Sequence, residues 1–243
     1  CAEEDIALPV IAGEKPENER FPGAVETWSI EAMMQDGKAL QAGTSHYLGT
    51  NFAQAAGIKY QDREGKEQFC HTTSWGVSTR VIGAMIMTHG DDDGLQVPPR
   101  IAPYQVIILP LLKGKADDEG LLTYCRELQS QLSSSNSLNE PIRVIIDKKP
   151  SKGSSKRWDW VRKGAPVILE VGPRDMAEKK VAMLRRDRLW DHETGKVKFN
   201  FVPASETIAN ISSILEEMQE SLFRSAVNFR ESRIKRDSKS LAD

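Results

Sequence analysis

TTSWGVSTRVIGAMIMTHGDDDGLQVPPRIAP, residues Thr72 to Pro103, is the most informative stretch of this 243-residue chain. It opens on Ser74-Trp75-Gly76, a turn-prone triplet in which an aromatic wall precedes a residue without a Cβ. Glycine lets backbone approach a bound group closely. From Val77 to Thr88 the chain is apolar almost all round, with Val77, Val81, Ile82, Ala84, Met85, Ile86 and Met87; this pattern predicts a buried helix. His89-Gly90 and the acidic turn Asp91 to Asp93 end it. Carboxylates grouped this way can hold a divalent cation. No further acidic partner is evident nearby, so a helix-terminal turn is the expected role. Gly94 to Val97 alternates, and Pro98-Pro99 then stiffen the backbone ahead of Arg100, which aims that cation rather than leaving it loose in solvent.

Upstream, Ile6 to Ala12 and Val25 to Met34 read as strands, separated by the polar loop Gly13 to Arg20 and by Phe21-Pro22-Gly23-Ala24. Asp36-Gly37 is a hairpin cue leading to a strand over Lys38 to His46. Gln41, Thr44 and His46 bunch three hydrogen-bonding side chains around Gly43. Tyr47 to Gly57 predicts a short helix, and Ile58 to Asp62 and Glu67 to His71 predict strands.

Downstream, the composition shifts near Pro103. Gln105 to Leu111 is a continuous apolar run, as in a strand buried on both faces. A polar loop at Gly114 to Glu119 follows, then a helix with apolar residues at Leu121, Leu122, Cys125, Leu128 and Leu132. Strands at Ile142 to Asp147 and Pro166 to Val171 bracket a basic loop, Lys148 to Arg157, and a short helical stretch over Trp158 to Arg162. Strand–helix–strand alternation argues for an α/β domain. Cations beside Trp158 and Trp160 suit RNA, because unpaired bases stack on aromatic and guanidinium planes. Lys179 to Asp187 and Val197 to Val202 read as further strands. With Ser205 as N-cap, Ile208, Ile211, Leu215, Met218, Leu222 and Ala226 then recur at helical steps in an amphipathic helix.

Composition bounds the function classes. A hydrophobic fraction of 39%, a charged fraction of 28% and a formal net charge of −2 suit a soluble globular protein without broad affinity for nucleic acid, although a local basic face is compatible. No apolar run reaches the ~18 residues of a membrane span, and there is no secretory signal pattern. Cys1, Cys70 and Cys125 lack metal-ligand spacing and suit reduced thiols in the cytoplasm. There is no internal repeat and no triad-like constellation.

The Thr72–Pro103 string, taken with Gln41-Ala42-Gly43-Thr44-Ser45-His46, closely resembles prolyl-tRNA synthetases of the archaeal and eukaryotic type, class II aminoacyl-tRNA synthetases. The resemblance covers nearly the whole chain. It implies an α+β fold: part of an antiparallel-sheet catalytic domain over residues 1–103, then an α/β anticodon-binding domain with a mixed sheet over 104–204. A C-terminal helix over 205–243 would lead toward a further domain. It places the third signature motif of the class at the GLxxPPR segment. The expected activity is attachment of L-proline to tRNA(Pro) through prolyl-adenylate, with ATP and Mg2+, in a homodimeric full-length enzyme. Neither step needs a protein nucleophile, so no catalytic residue is expected; the enzyme aligns its substrates and stabilises charge.

By the same resemblance Gln41, Thr44 and Arg100 would contact ATP, and Phe21, His46, Ser74, Trp75 and Gly76 would line the proline pocket. Burying the proline ring against Phe21 is worth up to ~1–3 kcal/mol. Lys156, Glu170, Arg174 and Asp175 would contact the anticodon. Lys148-Lys149 and Val161 depart from the family pattern there. Neither zinc cysteines nor an editing insertion is recognisable in the span, and motifs 1 and 2 of the class are expected upstream of Cys1, in a longer polypeptide. The competing reading is a non-catalytic paralogue that binds tRNA or regulates; Gln41, Thr44, His46 and Arg100 weigh against it. Synthetases for threonine, histidine or glycine share the architecture, and Ser74-Trp75-Gly76 with Pro98-Pro99-Arg100 favour proline.

Overall fold

Alternation of buried and exposed residues along Glu26–Met33 is what a strand with one packed face requires, and that strand seeds the first of two sheets. A computed structural model describes residues 1–112, 114, 118–149 and 153–236. Parts of the loops predicted at Gly114 to Glu119 and Lys148 to Arg157, and the end of the C-terminal segment, lie outside the described residues. The chain forms two compact units, one chiefly Leu8–Thr88 and the other chiefly His89–Glu231 together with Glu3–Ala7.

The first unit is an antiparallel sheet in the order β1 (Val10–Glu14), β2 (Glu26–Met33), β3 (Ala39–Gly49), β6 (Thr72–Gly76). Between β3 and β6 lie α1 (Asn51–Ala56) and a small hairpin of β4 (Lys59–Gln61) and β5 (Glu67–Phe69). After β6 comes α2 (Arg80–His89). Gly57, left-handed at φ 69°, closes α1.

Several expectations shift here. The predicted strand at Ile6 to Ala12 begins only at Val10, because Asp5 and Leu8 turn back to hydrogen-bond Cys1 and Ala2. The helix expected from Tyr47 starts at Asn51, because β3 runs on as far as Gly49 in partnership with β6. Ser74-Trp75-Gly76 is strand, not turn, for the same reason. The helix after it opens at Arg80 rather than Val77, and Val77, Ile82, Ile86 and Met87 are exposed while Ala84 and Met85 are buried. The pattern identified the helix but overstated its burial.

The second unit is an α/β sandwich. Its strands are β7 (Val106–Pro110), β10 (Val144–Ile146), β11 (Val167–Val171), β12 (Lys180–Arg185) and β13 (Asn200–Pro203). They lie in the order β10-β7-β11-β12-β13, the first three parallel and the rest antiparallel, a mixed sheet. Its helices are α3 (Asp118–Ser133), α4 (Gly153–Arg162), α5 (Pro173–Ala177) and α6 (Ala204–Glu231), and a minimal hairpin of β8 (Asn136–Ser137) and β9 (Glu140–Pro141) follows α3. Val106, Ile108, Leu169 and Val171 face α3 and α6 through Leu121, Cys125, Ile211 and Leu215. Ile107, Leu109 and Ile168 face the other way, toward Val161 of α4. This two-sided burial explains the uninterrupted apolar runs of β7 and β11. The helix α6 takes in Ala204, so Ser205 lies inside its first turn rather than capping it.

The segment expected to close the first domain near Pro103 packs instead with the second unit. Leu95 and Val97 donate to the carbonyls of Arg162 and Gly164. Gly94, at φ 125°, permits the approach; a Cβ there would sit 2.6 Å from the Arg162 Cα. Asp91 grips the buried Arg186 guanidinium through both carboxylate oxygens, one contact being 2.9 Å, and Asp93 accepts from the Trp190 indole at 2.6 Å. Burial alone would raise the Asp91 carboxyl, but the hydrogen bonds and charge of Arg186 outweigh it and hold it below the usual carboxylate range. The acidic turn thus serves as a clasp.

His89 is buried, and its Nε2–H donates to the Ile6 carbonyl at 2.9 Å. Burial lowers its pKa below 6.5, partly offset by the backbone of Ile6 and Ala7. The unfolded chain therefore binds a proton that the folded chain refuses. Stability from neutral His89 is complete above pH 6.5 and is lost as pH falls from there toward the folded value. Unfolding free energies from urea melts should fall as pH is lowered from about 7 toward about 5, and His89→Gln should flatten that decline.

Candidate functional site

Register decides which side chains share a face of the first sheet. Directly opposed residues of antiparallel strands point the same way, and neighbours along a strand point oppositely. His46 lies between Thr27 of β2 and Ser74 of β6, and Thr44 lies between Ser29 and Gly76. Thr27, Ser29, Thr44, His46, Ser74 and Gly76 therefore form two adjacent rows on one face. Trp75 is paired with Ser45, which is paired with Trp28. These two tryptophans stand on the opposite face, and Trp75 is 75% exposed. The aromatic wall expected from Trp75 is thus turned away from His46.

Phe21 supplies an aromatic wall on the His46 side. Its ring centroid is 5.0 Å from that of His46 and 6.2 Å from that of Phe52, against which it stacks. Gly23, at φ 88°, makes room for Phe52; a Cβ there would lie 2.9 Å from the ring. Thr27, only 1% exposed, ties the group together: its Oγ1 accepts the Phe21 N–H at 3.2 Å and lies 3.0 Å from His46 Nδ1. Gln41 sits past a β-bulge at Ile30/Glu31 and accepts from Lys15 Nζ at 2.6 Å. A cavity of about 300 Å3 opens beside Lys15, Ser29, Glu31 and Ala39. Gly76 packs close to Thr44, a Cβ there lying 3.4 Å from its hydroxyl. Beyond Gly76, Val81 and Ile82 hydrogen-bond Ser78 and Thr79 in the first turn of α2, where Arg80 is exposed. Among the described residues the Arg80 guanidinium has no ion-pair partner.

Arg100 has other partners. Its N–H donates to Gln219 Oε1 at 3.1 Å, its guanidinium donates to the Leu138 carbonyl at 3.3 Å, and its Nε lies 3.5 Å from Asp5. It lines a cavity of about 370 Å3 together with Glu3, Glu4, Glu216 and Glu220. Carboxylates around a cation repel an incoming phosphate. Arg80, by contrast, is exposed in the first turn of a helix that follows a strand ending on glycine.

In the second unit the carboxyl ends of parallel strands β7, β10 and β11 bring together the chain after Ile146 and after Val171. Open α/β sheets bind ligands at that edge, where strand order reverses. Of the four expected contacts, Arg174 is exposed on α5. Asp175 Oδ2 caps α5 by accepting the Gly172 N–H at 2.7 Å. Glu170 is buried and accepts from Arg157 at 2.9 Å, with the Arg157 guanidinium 5.1 Å from the Phe199 ring centroid. Burial raises the Glu170 pKa more than Arg157 lowers it, and Asp175 adds to the rise. Lys156 is only 4% exposed, its Nζ 3.2 Å from the Asp147 carbonyl. The tryptophans are also engaged: Trp158 packs on Trp190 at 5.9 Å, and Trp160 donates to Asp147 at 2.8 Å. Burial would raise the Asp147 carboxyl, but hydrogen bonds from the Lys149 N–H and Trp160 hold it low.

Residues 105–205 match the family described as the anticodon binding domain. The proline–tRNA ligase of Erythrobacter litoralis (strain HTCC2594) is 64% identical over 233 residues, covering 96% of this chain and 45% of that protein. That of Sphingopyxis alaskensis is 59% identical over 241 residues, covering 99% and 46%. The crystal structure of prolyl-tRNA synthetase from Cryptosporidium parvum complexed with L-proline and AMP superposes with a TM-score of 0.81 at 38% identity, covering 95% of this chain and 47% of that one. The chain spans less than half the length of the relatives it matches.

The Arg157–Glu170 pair lends itself to a stability test. Arg157→Met should destabilise the protein by ~2–4 kcal/mol by leaving Glu170 buried and unpaired. In urea melts Arg157→Met/Glu170→Gln should recover part of that loss.

Proposed function

We propose that this chain, which belongs to the prolyl-tRNA synthetase family, carries the amino-acid and adenosine surfaces and the anticodon-reading domain of an enzyme that attaches L-proline to tRNA(Pro). In the first step the proline carboxylate attacks the α-phosphate of ATP, releasing pyrophosphate and leaving prolyl-adenylate. A terminal ribose hydroxyl of the tRNA then attacks the activated carbonyl, and AMP departs. The observation that carries this reading is the single face that Thr44, His46, Ser74 and Gly76 share, with the Phe21 ring beside His46.

Phe21 would cover the apolar ring of proline, with His46 and Ser74 at its polar end. Gln41 and Thr44 would meet the adenosine, and Gly76 would let backbone approach the acyl-adenylate. We assign the phosphate-facing cation to Arg80 rather than Arg100. Arg80 lies at a helix start, where the dipole also favours anions; Arg100 lies among glutamates. Trp75 drops out of the pocket because it faces the other way. Among the described residues no group of three His, Cys, Asp or Glu side chains could hold a metal ion. In this reading Mg2+ accompanies ATP as part of the substrate.

At the second site, Arg174 is the exposed cation suited to direct RNA contact. Asp175 would offer its second carboxylate oxygen to a base edge, whereas buried Glu170, paired with Arg157, and buried Lys156 support the edge from within. Cytoplasmic location and a homodimer belong to the same reading. Cys1, Cys70 and Cys125 form no disulfide, and burial pushes the Cys125 thiol up to about 11. No described helix is long and apolar enough to cross a membrane.

Proline-dependent exchange between pyrophosphate and ATP, measured on the full-length polypeptide, tests the assignment. Arg80→Ala should lower kcat/KM by ~10²- to 10³-fold. Arg100→Ala should change it less than about tenfold while costing up to ~1 kcal/mol of stability. The reverse ranking would return the phosphate role to Arg100, and no exchange from the folded wild type would favour a non-catalytic, tRNA-binding protein. Separately, Arg174→Ala should weaken tRNA binding and reduce its salt slope by about one, whereas Lys156→Met should act mainly on stability.

A further inference from the structure

We propose that Thr27 is a positioning residue: its hydroxyl fixes His46 as the Nε2–H tautomer, so that the imidazole presents a neutral donor to a carboxylate or acyl oxygen of the amino-acid substrate. The hydrogen bonds leave little choice. Thr27 Oγ1 already accepts the Phe21 N–H. Its own proton is buried with the residue, which is 1% exposed, and His46 Nδ1 at 3.0 Å is the acceptor in reach among the described residues. If Nδ1 carried the proton instead, Oγ1 would accept twice and the hydroxyl proton would be left buried without a partner, which is unfavourable. Nδ1 is therefore the acceptor, and the proton of the neutral ring sits on Nε2.

Position in the sheet makes this geometry rigid. Thr27 and His46 are direct cross-strand partners, and Ser74 continues the row on β6. The hydroxyl also holds the backbone of Phe21, whose ring lies 5.0 Å from the imidazole. One buried oxygen thus sets both the apolar wall and the orientation of the donor beside it. The substrate half of the inference rests on the proline-binding reading above; the tautomer half stands independently of it.

The chain has four histidines, so long-range 1H–15N spectra of the labelled protein can assign the protonated nitrogen of His46. The expected result is Nε2–H in the wild type, retention of that signature in Thr27→Ser, and its shift toward a tautomer mixture in Thr27→Val. An Nδ1–H signature in the wild type, or an unchanged ring in a folded Thr27→Val, overturns the proposal. In pyrophosphate exchange by the full-length protein, Thr27→Val should raise KM for proline roughly five- to tenfold, the size of one neutral hydrogen bond, with Thr27→Ser restoring it. An altered tautomer without a change in KM overturns the positioning role. Wild-type protein that shows the Nε2–H signature but no exchange sinks the enzyme reading and leaves the Thr27–His46 assignment supported.

Discussion

The pairing of β3 with two partners at once is the constraint on which the first unit depends. A strand held on both edges has little freedom to slip, because a shift of one residue would exchange its two faces. With β2 on one side and β6 on the other, His46 and Thr44 are aligned with Thr27 and Ser29, and with Ser74 and Gly76. Residues far apart in the chain thereby form one polar surface, and Phe21 is drawn over it by a hydrogen bond to Thr27. The bulge at Ile30/Glu31 then displaces Gln41 from a regular register. Local strengthening of strand twist and re-aiming of side chains are what such bulges provide.

The second unit relies on a different device. Its core is made by strands buried on both faces, and such strands leave no face for polar groups. Charged residues that do enter are therefore paired. Arg186 is bound by Asp91, Arg157 by Glu170, and Arg185 by Asp187 and Glu217. Each pair bridges elements remote in sequence or closes a strand end, and each must stay satisfied, since a lone buried charge is far more costly than the pair. Lys156, also buried, donates instead to the Asp147 backbone carbonyl. What reads in sequence as a cationic patch is here partly internal structure, which leaves Arg174 as the exposed cation of the four expected contacts.

Much of the architecture was legible because periodicity reports burial directly. The apolar run at Gln105 to Leu111 was consistent with a strand covered on both sides, Pro166 to Val171 read as a further strand, and the helical steps from Ile208 to Ala226 marked α6. Boundaries were less legible. The helix expected from Tyr47 lost Tyr47, Leu48 and Gly49 to β3 because sheet pairing overrode a weak local preference. The break expected near Pro103 was misplaced because Leu95 and Val97 find their backbone partners at Arg162 and Gly164, a contact no local pattern announces.

By itself the sequence determined the α+β class, most of the strands and helices and the family resemblance, since these depend on hydrophobic period and on long runs of specific residues. Facing was decided only by the tertiary structure. Trp75 and Ser74 are neighbours in the chain yet point to opposite sides of the sheet, and Arg80 and Arg100 look equally available until their surroundings are seen. A side chain's role follows from what the fold brings opposite it: a glycine-ended strand and a helix start for Arg80, a ring of glutamates for Arg100, and the Thr27 hydroxyl for His46. Cross-strand register and desolvation set those surroundings, and both are properties of the packed chain rather than of any local segment.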